Sequence, residues 1–270
     1  MGKCVYCEED KVLTREHILP SFVYKYQASV KKGKTSGWNE KAQNIIGGEA
    51  VIKDVCANCN NVVLGELDGH AKSILDAAGV FTQNFSKDKL EVVYDYKLLS
   101  KWLLKVAYNS SRASGKQDGV FDKYKSVILG KTSDYSSFII SAGLLKPYKL
   151  TKEQIAEHGE KIDVNDKGYV NPFFSRISWS PQTLEGYSVK QVVIGALVFH
   201  VVAFNDGISR ADRKKITQQY LTMCKGMTVI RKNLKKVEVV QLPITFVDSM
   251  EHHSMRPEVE PHLERLLANC

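Results

Sequence analysis

Four cysteines arranged as two C-x-x-C pairs are the residues best suited to bind a metal. The pairs are Cys4 with Cys7 and Cys56 with Cys59. A two-residue gap lets both sulfurs of a pair reach one ion, and four thiolates form the closed tetrahedral shell typical of structural Zn²⁺. In a reducing compartment this pattern favours a metal over disulfides, and paired redox motifs are the alternative. We therefore predict structural zinc without catalytic duty, because no position is open for an activated water.

Three polar residues lie close to these pairs and suit hydrolytic chemistry. Glu16 and His17 lie between the pairs, and Asn60 directly follows Cys59. An imidazole can accept a proton at neutral pH, and carboxylate and amide oxygens suit Mg²⁺ or Mn²⁺. Taken singly, His17 would be interpreted as a strand histidine with a backbone partner, and Glu16 as a solvated charge at the end of a strand.

In combination these residues resemble the HNH endonuclease superfamily. The matching pattern is C-x-x-C, then the Glu16-His17 pair followed by apolar residues and Pro20, then V-C-x-x-C-N-N-x-x-x-G. It is most similar to the zinc-bearing branch with a ββα-metal core, which includes phage recombination endonucleases that resolve DNA junctions. The resemblance covers about residues 4–68, under a third of the chain.

The resemblance implies a role for each of the three polar residues. His17 would activate a water against a phosphodiester, while Glu16 and Asn60 would hold a catalytic Mg²⁺ or Mn²⁺ on the scissile phosphate. The zinc would place Asn60 opposite His17, because Cys59 is anchored. The implied substrate is DNA, with RNA less favoured, and the implied setting is phage defence, restriction or a mobile element.

The sequence departs from the family pattern at three points. Many members carry Asp where Glu16 stands, and the middle Asn of the family name has only Asn39 and Asn44 as weak candidates. Asn60 stands where a third His is usual. His70, ten residues further along, is interpreted as a surface or core residue rather than a ligand.

The hydrophobic pattern predicts the elements that position these residues. Strands are expected over 12–19 and 50–55, a loop over 31–48, and a helix over 60–78 that Gly79 ends. Residues 80–91 are interpreted as a connection, and residues 94–114 as a long amphipathic helix with Trp102 in its apolar stripe. The strongest strand signal spans 188–205, where Gly195 marks a bend or bulge. Further strands are expected over 136–143, 176–180, 227–231 and 237–246, and a terminal helix over 257–268.

These elements predict an α+β fold in two parts. A small zinc-stapled ββα-metal (HNH) domain is expected over residues 1–80. A mixed α+β domain is expected over residues 81–270, with targeting, sensing or dimerisation as its role, so a homodimer remains open. Cys224 and Cys270 are expected to be free thiols, and His252 and His253 receive no ligand role.

Composition excludes several classes of protein. Of 270 residues, 43% are hydrophobic and 25% charged, which excludes wholesale disorder. The longest apolar run, residues 192–204, is shorter than the ~20 residues that a membrane span needs. No leader segment is recognisable, because Glu8 follows the N-terminus closely without an apolar region. We therefore expect a cytoplasmic protein without a membrane partner.

The net charge of +8 is unevenly distributed. Residues 1–80 carry ten basic and ten acidic side chains, so the whole surplus lies later. A basic stretch over residues 210–236 predicts phosphate contacts, with an ordinary solvated face as an equal alternative. Its predicted nucleic-acid-binding residues are Arg210, Arg213, Lys214, Lys215, Arg231, Lys232, Lys235 and Lys236. The basic side of the helix over 94–114, which includes Lys97, Lys101, Lys105 and Arg112, could also face DNA or simply solvent.

Two functions of different class follow from these patterns. The first is a metal-dependent HNH endonuclease that cleaves DNA. The second is a non-cleaving zinc module that binds nucleic acid or a protein partner, which the net positive charge would equally allow.

Overall fold

The computed structural model of the protein describes most of the chain. The described residues are 1–30, 36–39, 44–82, 85–113, 119–158, 164–170, 176–179, 186–246 and 248. The predicted helix over 257–268, the His252–His253 pair and Cys270 lie outside them. Over this described part, no helix combines the length and the apolar character needed to cross a membrane.

Three two-stranded ribbons and one helix build the part of the chain before residue 57. β1 (Gly2–Lys3) pairs with β2 (Asp10–Lys11), and β3 (Leu13–His17) pairs with β6 (Val51–Cys56), both antiparallel. The two strands predicted around the candidate site are thus confirmed. The remaining elements of this part are α1 (Ser21–Val30), β4 (Ser36–Asn39) and β5 (Asn44–Gly47).

Two of these elements correct the sequence-based expectations. The predicted loop over 31–48 contains the β4–β5 hairpin. α1 was not predicted, although it begins directly after Pro20 and buries Val23, Tyr24 and Gln27. Proline favours the start of a helix because its fixed φ suits the first turn.

The helix predicted after the second cysteine pair is confirmed, with an irregular beginning. Residues Asn58–Leu64 form a π-helical turn, which continues into α2 (Gly65–Ala77). α2 buries Leu67, Ala71, Ile74 and Leu75 on one face. Gly79 follows with a φ of +71°, the left-handed conformation that commonly ends helices.

A seven-stranded sheet dominates the later part of the chain. Six strands lie in the order β7-β13-β8-β11-β10-β9, and β12 pairs with β8 beside this path. Every pairing is antiparallel except that of β13 with β8. The strands are β7 (Lys89–Val93), β8 (Phe138–Lys146), β9 (Arg176–Trp179), β10 (Tyr187–Ile194), β11 (Leu197–Phe204), β12 (Thr228–Val229) and β13 (Lys236–Thr245).

The strongest strand signal is a hairpin, not one bent strand. β10 and β11 pair along their full length, and Gly195 and Ala196 connect them. Gly195 has a φ of +58°, which suits the first position of a two-residue hairpin turn.

β7 corrects a further expectation. This strand lies partly within residues 80–91, which were interpreted as a connection.

The helices of this part are α3 (Tyr96–Ala113), α4 (Lys125–Ile128), α5 (Lys152–His158) and α6 (Arg210–Met223). α3 contacts α2 on one side and strands β9, β10 and β11 on another. Trp102, predicted as core, is fully buried and meets the Phe199 ring edge to face at 6.4 Å.

The α+β class is confirmed, and one apolar core extends through both predicted parts. The main cluster of buried residues runs from Cys4 through α2 and α3 to Val239 of the sheet. The division at residue 80 stays a prediction. The structural consequence is that α3, although it follows that boundary, packs directly against the elements that carry the candidate site.

Candidate functional site

The four paired cysteines form one cluster, as their spacing predicts. Their sulfur atoms all lie within 4.8 Å of one another, and the Cys7 and Cys56 sulfurs are 3.8 Å apart. A tetrahedral zinc site with bonds of about 2.3 Å has sulfur–sulfur edges of about 3.8 Å. The cluster is therefore consistent with structural Zn²⁺, and none of its cysteines forms a disulfide.

The surroundings of Cys4 favour a thiolate. Burial opposes its ionisation, but backbone N–H groups of Cys56, Cys7 and Tyr6 outweigh burial and lower the pKa of Cys4 to about 7. Burial instead raises the pKa of Cys7 and, strongly, that of Cys59. Four such sulfurs need a cation to ionise together, which is what a bound zinc supplies.

Asn60 connects the cysteine cluster to β3. Its side-chain amide donates one hydrogen bond to Thr14 Oγ1 at 2.9 Å and another to the Arg15 carbonyl at 2.8 Å. Thr14 Oγ1 in turn donates to the carbonyl oxygen of Val55 on β6. The π-helical turn thus presents Asn60 to the strand that carries Glu16 and His17.

His17 is paired with a residue that sequence reasoning missed. Its Nε2 lies 2.6 Å from Glu49 Oε2, and both side chains are partly exposed, at 27% and 41%. Glu49 is held in place through its neighbour Ala50, whose N–H donates to Tyr24 Oη and whose carbonyl accepts from Ile18 N–H. A carboxylate on one ring nitrogen selects the tautomer and orients the ring.

Glu16 lies in a different environment from its neighbour His17. Successive strand residues point to opposite faces, and Glu16 is only 3% exposed. Its Oε1 is 2.8 Å from the Nζ of Lys105 on α3. Lys105, itself fully buried, also contacts both carboxylate oxygens of Asp68 at 2.7 and 2.8 Å. The structure thus brings Glu16 to α3 and His17 to Glu49.

Two carboxylates share one ammonium in this cluster. Burial raises the pKa of Asp68, although Lys105 counteracts it and Trp102 Nε1 also donates to its Oδ1 at 3.2 Å. With both acids ionised, Glu16, Asp68 and Lys105 carry a net charge of −1. This excess of negative charge can be relieved by a proton on Asp68, whose pKa burial raises, or by a further cation nearby.

Asn109 on α3 makes a second set of contacts with β3. Its amide donates to Glu16 Oε1 and to the His17 carbonyl, both at 3.0 Å. Its Oδ1 accepts from Tyr6 Oη at 2.6 Å and from the Arg112 guanidinium. Arg112 also forms an ion pair with Asp54, which lies where the β3–β6 register shifts.

These contacts correct the expectation for the basic side of α3. Lys105 and Arg112 face neither DNA nor solvent, because α2, β3 and β6 cover them. Their partners come from distant sequence and could not be named from it. The available signal was a polar stripe at helical spacing on this amphipathic helix, formed by Lys105, Asn109 and Arg112.

The predicted nucleic-acid-binding residues of α6 divide into two kinds. Arg210, Lys214 and Lys215 are exposed. Arg213 is half-buried, donates to the carbonyls of Ile208 and Ser136, and lies over the Phe204 ring. α6 itself was not predicted, because it buries only Ile216 and Tyr220.

The second basic group precedes and begins β13. Arg231, Lys232, Lys235 and Lys236 are all exposed. Lys232 lies over the Tyr135 ring, adjacent to the Ser136 carbonyl that Arg213 contacts. The two basic groups therefore meet at residues 135–136, although Lys236 is also paired with Glu91 at 2.9 Å. Binding of nucleic acid by these residues stays a prediction.

Two further interpretations of the sequence concern His70 and Cys224. His70 is half-buried on α2 and is not part of the cysteine cluster, and Cys224 is a free thiol.

Comparison of the chain with protein-family models, curated proteins and solved structures finds no match.

Proposed function

We propose that this protein is a metal-dependent endonuclease of the HNH type that hydrolyses phosphodiester bonds in DNA. The observation that supports it best is the convergence on β3 of three independent features. The zinc-binding cluster leads directly into Asn60, Asn60 binds β3, and His17 at the end of β3 has a carboxylate partner. A histidine that is held by a carboxylate and is 27% exposed could reach a water molecule, as a general base must.

Asn60 and Glu16 would each offer one oxygen atom to a hard divalent cation such as Mg²⁺ or Mn²⁺. Both amide N–H groups of Asn60 are used by Thr14 and Arg15, which leaves its Oδ1 as a ligand. The contacts of Glu16 with Lys105 and Asn109 both end on Oε1, which leaves Oε2. One carboxylate oxygen and one amide oxygen suit such an ion, which usually keeps several waters.

His17 would act as the general base. With Nε2–H donating to Glu49, its Nδ1 is the nitrogen that accepts a proton from the attacking water. Glu49 holds the ring and stabilises the imidazolium that forms. The divalent ion, when bound to Glu16 and Asn60, would supply charge neutralisation on the phosphate. Phosphate contacts from the exposed lysines and arginines around residues 135–136 would hold the DNA.

The test is a plasmid cleavage assay with Mg²⁺ or Mn²⁺ on protein of equal zinc content. We expect the wild type to cut and His17→Ala to lose about 10²–10⁴-fold in rate, the usual contribution of a general base. His70→Ala is the matched control, because it removes a half-buried histidine outside the site, and should cut at close to the wild-type rate. Equal cleavage by wild type and His17→Ala would contradict the proposal. A matched RNA substrate tests the choice of DNA.

A non-cleaving zinc module remains the second candidate, and one observation favours it. Lys105 already provides a positive charge to Glu16, so the buried cluster has a cation without any added metal. This candidate predicts salt-sensitive binding to nucleic acid, or binding to a protein partner, that survives His17→Ala and needs no added Mg²⁺. Binding without cleavage by the zinc-loaded wild type would favour it over the nuclease.

A further inference from the structure

α3 lies outside the segment that resembles a nuclease, and yet its polar stripe contacts both Glu16 and His17. Asn109 is fully buried, and its amide nitrogen donates to the Glu16 carboxylate and to the His17 main chain. One side chain therefore fixes the relative position of two neighbouring residues whose side chains lie in different surroundings.

We propose that Asn109 is a positioning residue for the divalent-ion site, holding the Glu16 carboxylate so that its free oxygen faces the ion. This inference rests on the proposed function, because it assumes an ion at Glu16. Asn109 touches neither substrate nor ion in this arrangement and acts through Glu16.

The geometry supports this role in two ways. A glutamate has three side-chain torsions, and fixing them costs conformational entropy. The bonds to Glu16 Oε1 from Asn109 and Lys105 fix that carboxylate before an ion binds. In addition, the bond to the His17 carbonyl holds the end of β3, so the carboxylate and the histidine backbone move together.

Asn109 is itself held rigidly, which a positioning residue requires. Its Oδ1 accepts from Tyr6 Oη in the first zinc knuckle and from Arg112, which is anchored by Asp54. The amide orientation is thereby determined, because the oxygen faces the donors and the nitrogen faces the two acceptors. The zinc cluster is thus connected through Tyr6 and Asn109 to Glu16.

The test measures Mn²⁺ affinity of the full-length, zinc-loaded protein by electron paramagnetic resonance, independently of cleavage. Loss of a residue that orients a metal ligand typically costs 10–100-fold in affinity. We therefore expect Asn109→Ala to weaken Mn²⁺ binding at least about tenfold at unchanged zinc content, with Glu16→Gln abolishing it. Val106→Ala is the control, because Val106 is a fully buried residue of the same helix and should leave Mn²⁺ affinity unchanged.

Three outcomes would overturn the inference: wild-type affinity in Asn109→Ala, an equal loss in Val106→Ala, or wild-type protein that does not bind Mn²⁺ through Glu16. If Asn109→Ala does not fold, Asn109→Ser retains a small polar group and replaces it in the same comparison. Cleavage is scored separately. Mn²⁺ binding that depends on Asn109 in a protein that cuts nothing would contradict the nuclease and leave the positioning role supported.

Discussion

The strand that carries the candidate site and the central strand of the large sheet differ in what they bury. Along β3, only Glu16 of five residues is fully buried, and it is charged. Along β11, seven of eight side chains are buried, and all seven are apolar. Burial of apolar area stabilises β11 at roughly 25 cal/mol per Å². The strands around the site have little such area, so their position depends on the cysteine cluster and a polar network.

The candidate site is therefore held by polar contacts on both sides. The cysteine cluster positions Asn60 from one direction, and α3 positions Glu16 and the His17 main chain from the other. The sheet acts indirectly, because it supports α3 through contacts such as that of Phe199 with Trp102. The following predictions test this contrast, in order of decreasing effect.

Loss of the zinc should produce the largest difference in stability between the two regions. A structural zinc contributes about 10–16 kcal/mol in small zinc-binding peptides, so Cys59→Ser should unfold the segment before α2. Strands β8, β10 and β11 should keep their slow amide exchange, because their burial does not involve the metal. Hydrogen-exchange mass spectrometry measures both regions in one experiment.

The control for the zinc experiment is Cys224→Ser, which changes a free thiol remote from the cluster and should leave exchange unchanged. If the sheet and the zinc region lost protection against amide exchange equally, the two regions would unfold as one unit. The proposed difference between them would then be wrong.

Removing the buried ammonium should produce the next largest effect. Lys105→Met leaves Glu16 and Asp68 facing each other without a counter-charge, and breaking a buried ion pair in this way costs about 3–5 kcal/mol. Urea unfolding at pH 7 measures the change. Lys97→Met, on the exposed side of the same helix, should change the free energy of unfolding by less than about 0.5 kcal/mol. Similar values for the two variants would refute a stabilising role for the triad.

The partly buried His200 of β11 provides a pH-dependent test of the sheet region. Burial lowers the pKa of His200 to about 4, from 6.5 in an unfolded chain. The unfolded chain therefore binds the proton first as pH falls, and stability that is full above pH 6.5 is lost progressively toward pH 4. The loss has a ceiling of about 3 kcal/mol.

His200→Gln should reduce this pH dependence, because glutamine does not titrate but can still bond to Tyr220, the present partner of His200 Nδ1. The measurement is the free energy of unfolding of both proteins at pH 7 and pH 5. Identical slopes for the two proteins would show that the histidine is not held neutral by the fold.

The smallest effect is expected on the surface. If Lys235 contacts a DNA phosphate, Lys235→Ala should lower the slope of log affinity against log salt by about 0.9 and weaken all sequences alike. Lys167→Ala removes an equal charge from an exposed turn elsewhere and should leave the slope unchanged. Equal slopes for the two variants would indicate that only net charge matters, without a contact surface at residues 231–236.

Local patterns predicted much of the fold. The secondary-structure type could be predicted for α2, α3 and the long strands, because each has a single hydrophobic periodicity over many residues. Among the elements that were missed are α1, the β4–β5 hairpin, β7 and α6. α6 buries only two residues of fourteen, and β7 is a five-residue edge strand whose charged side chains are paired with β13. Such elements form because tertiary neighbours complete them.

The candidate site shows the same division. The cysteine cluster could be proposed from its spacing, and Asn60 and His17 from the resemblance to a nuclease motif, because each contribution comes from a short stretch of sequence. Glu49, Lys105, Asp68 and Asn109 could not be proposed, since their contacts with the motif depend on α2 and α3 packing beside β3. The basic side of α3 illustrates this limit of sequence-based prediction. Its charges suggested an exposed surface, whereas Lys105 and Arg112 belong to a buried polar network.

Four thiolates that bind one ion, with two strands and a helix beside them, could be inferred from the sequence alone. A two-residue gap brings both sulfurs of a pair within reach of one ion, and a closed tetrahedral shell requires a second pair, here 49 positions further along the chain. Which groups neutralise Glu16 and orient His17 depends on the packing of distant segments. Those contacts join residues up to 93 positions apart, and their strength depends on burial that only the packed α3 creates.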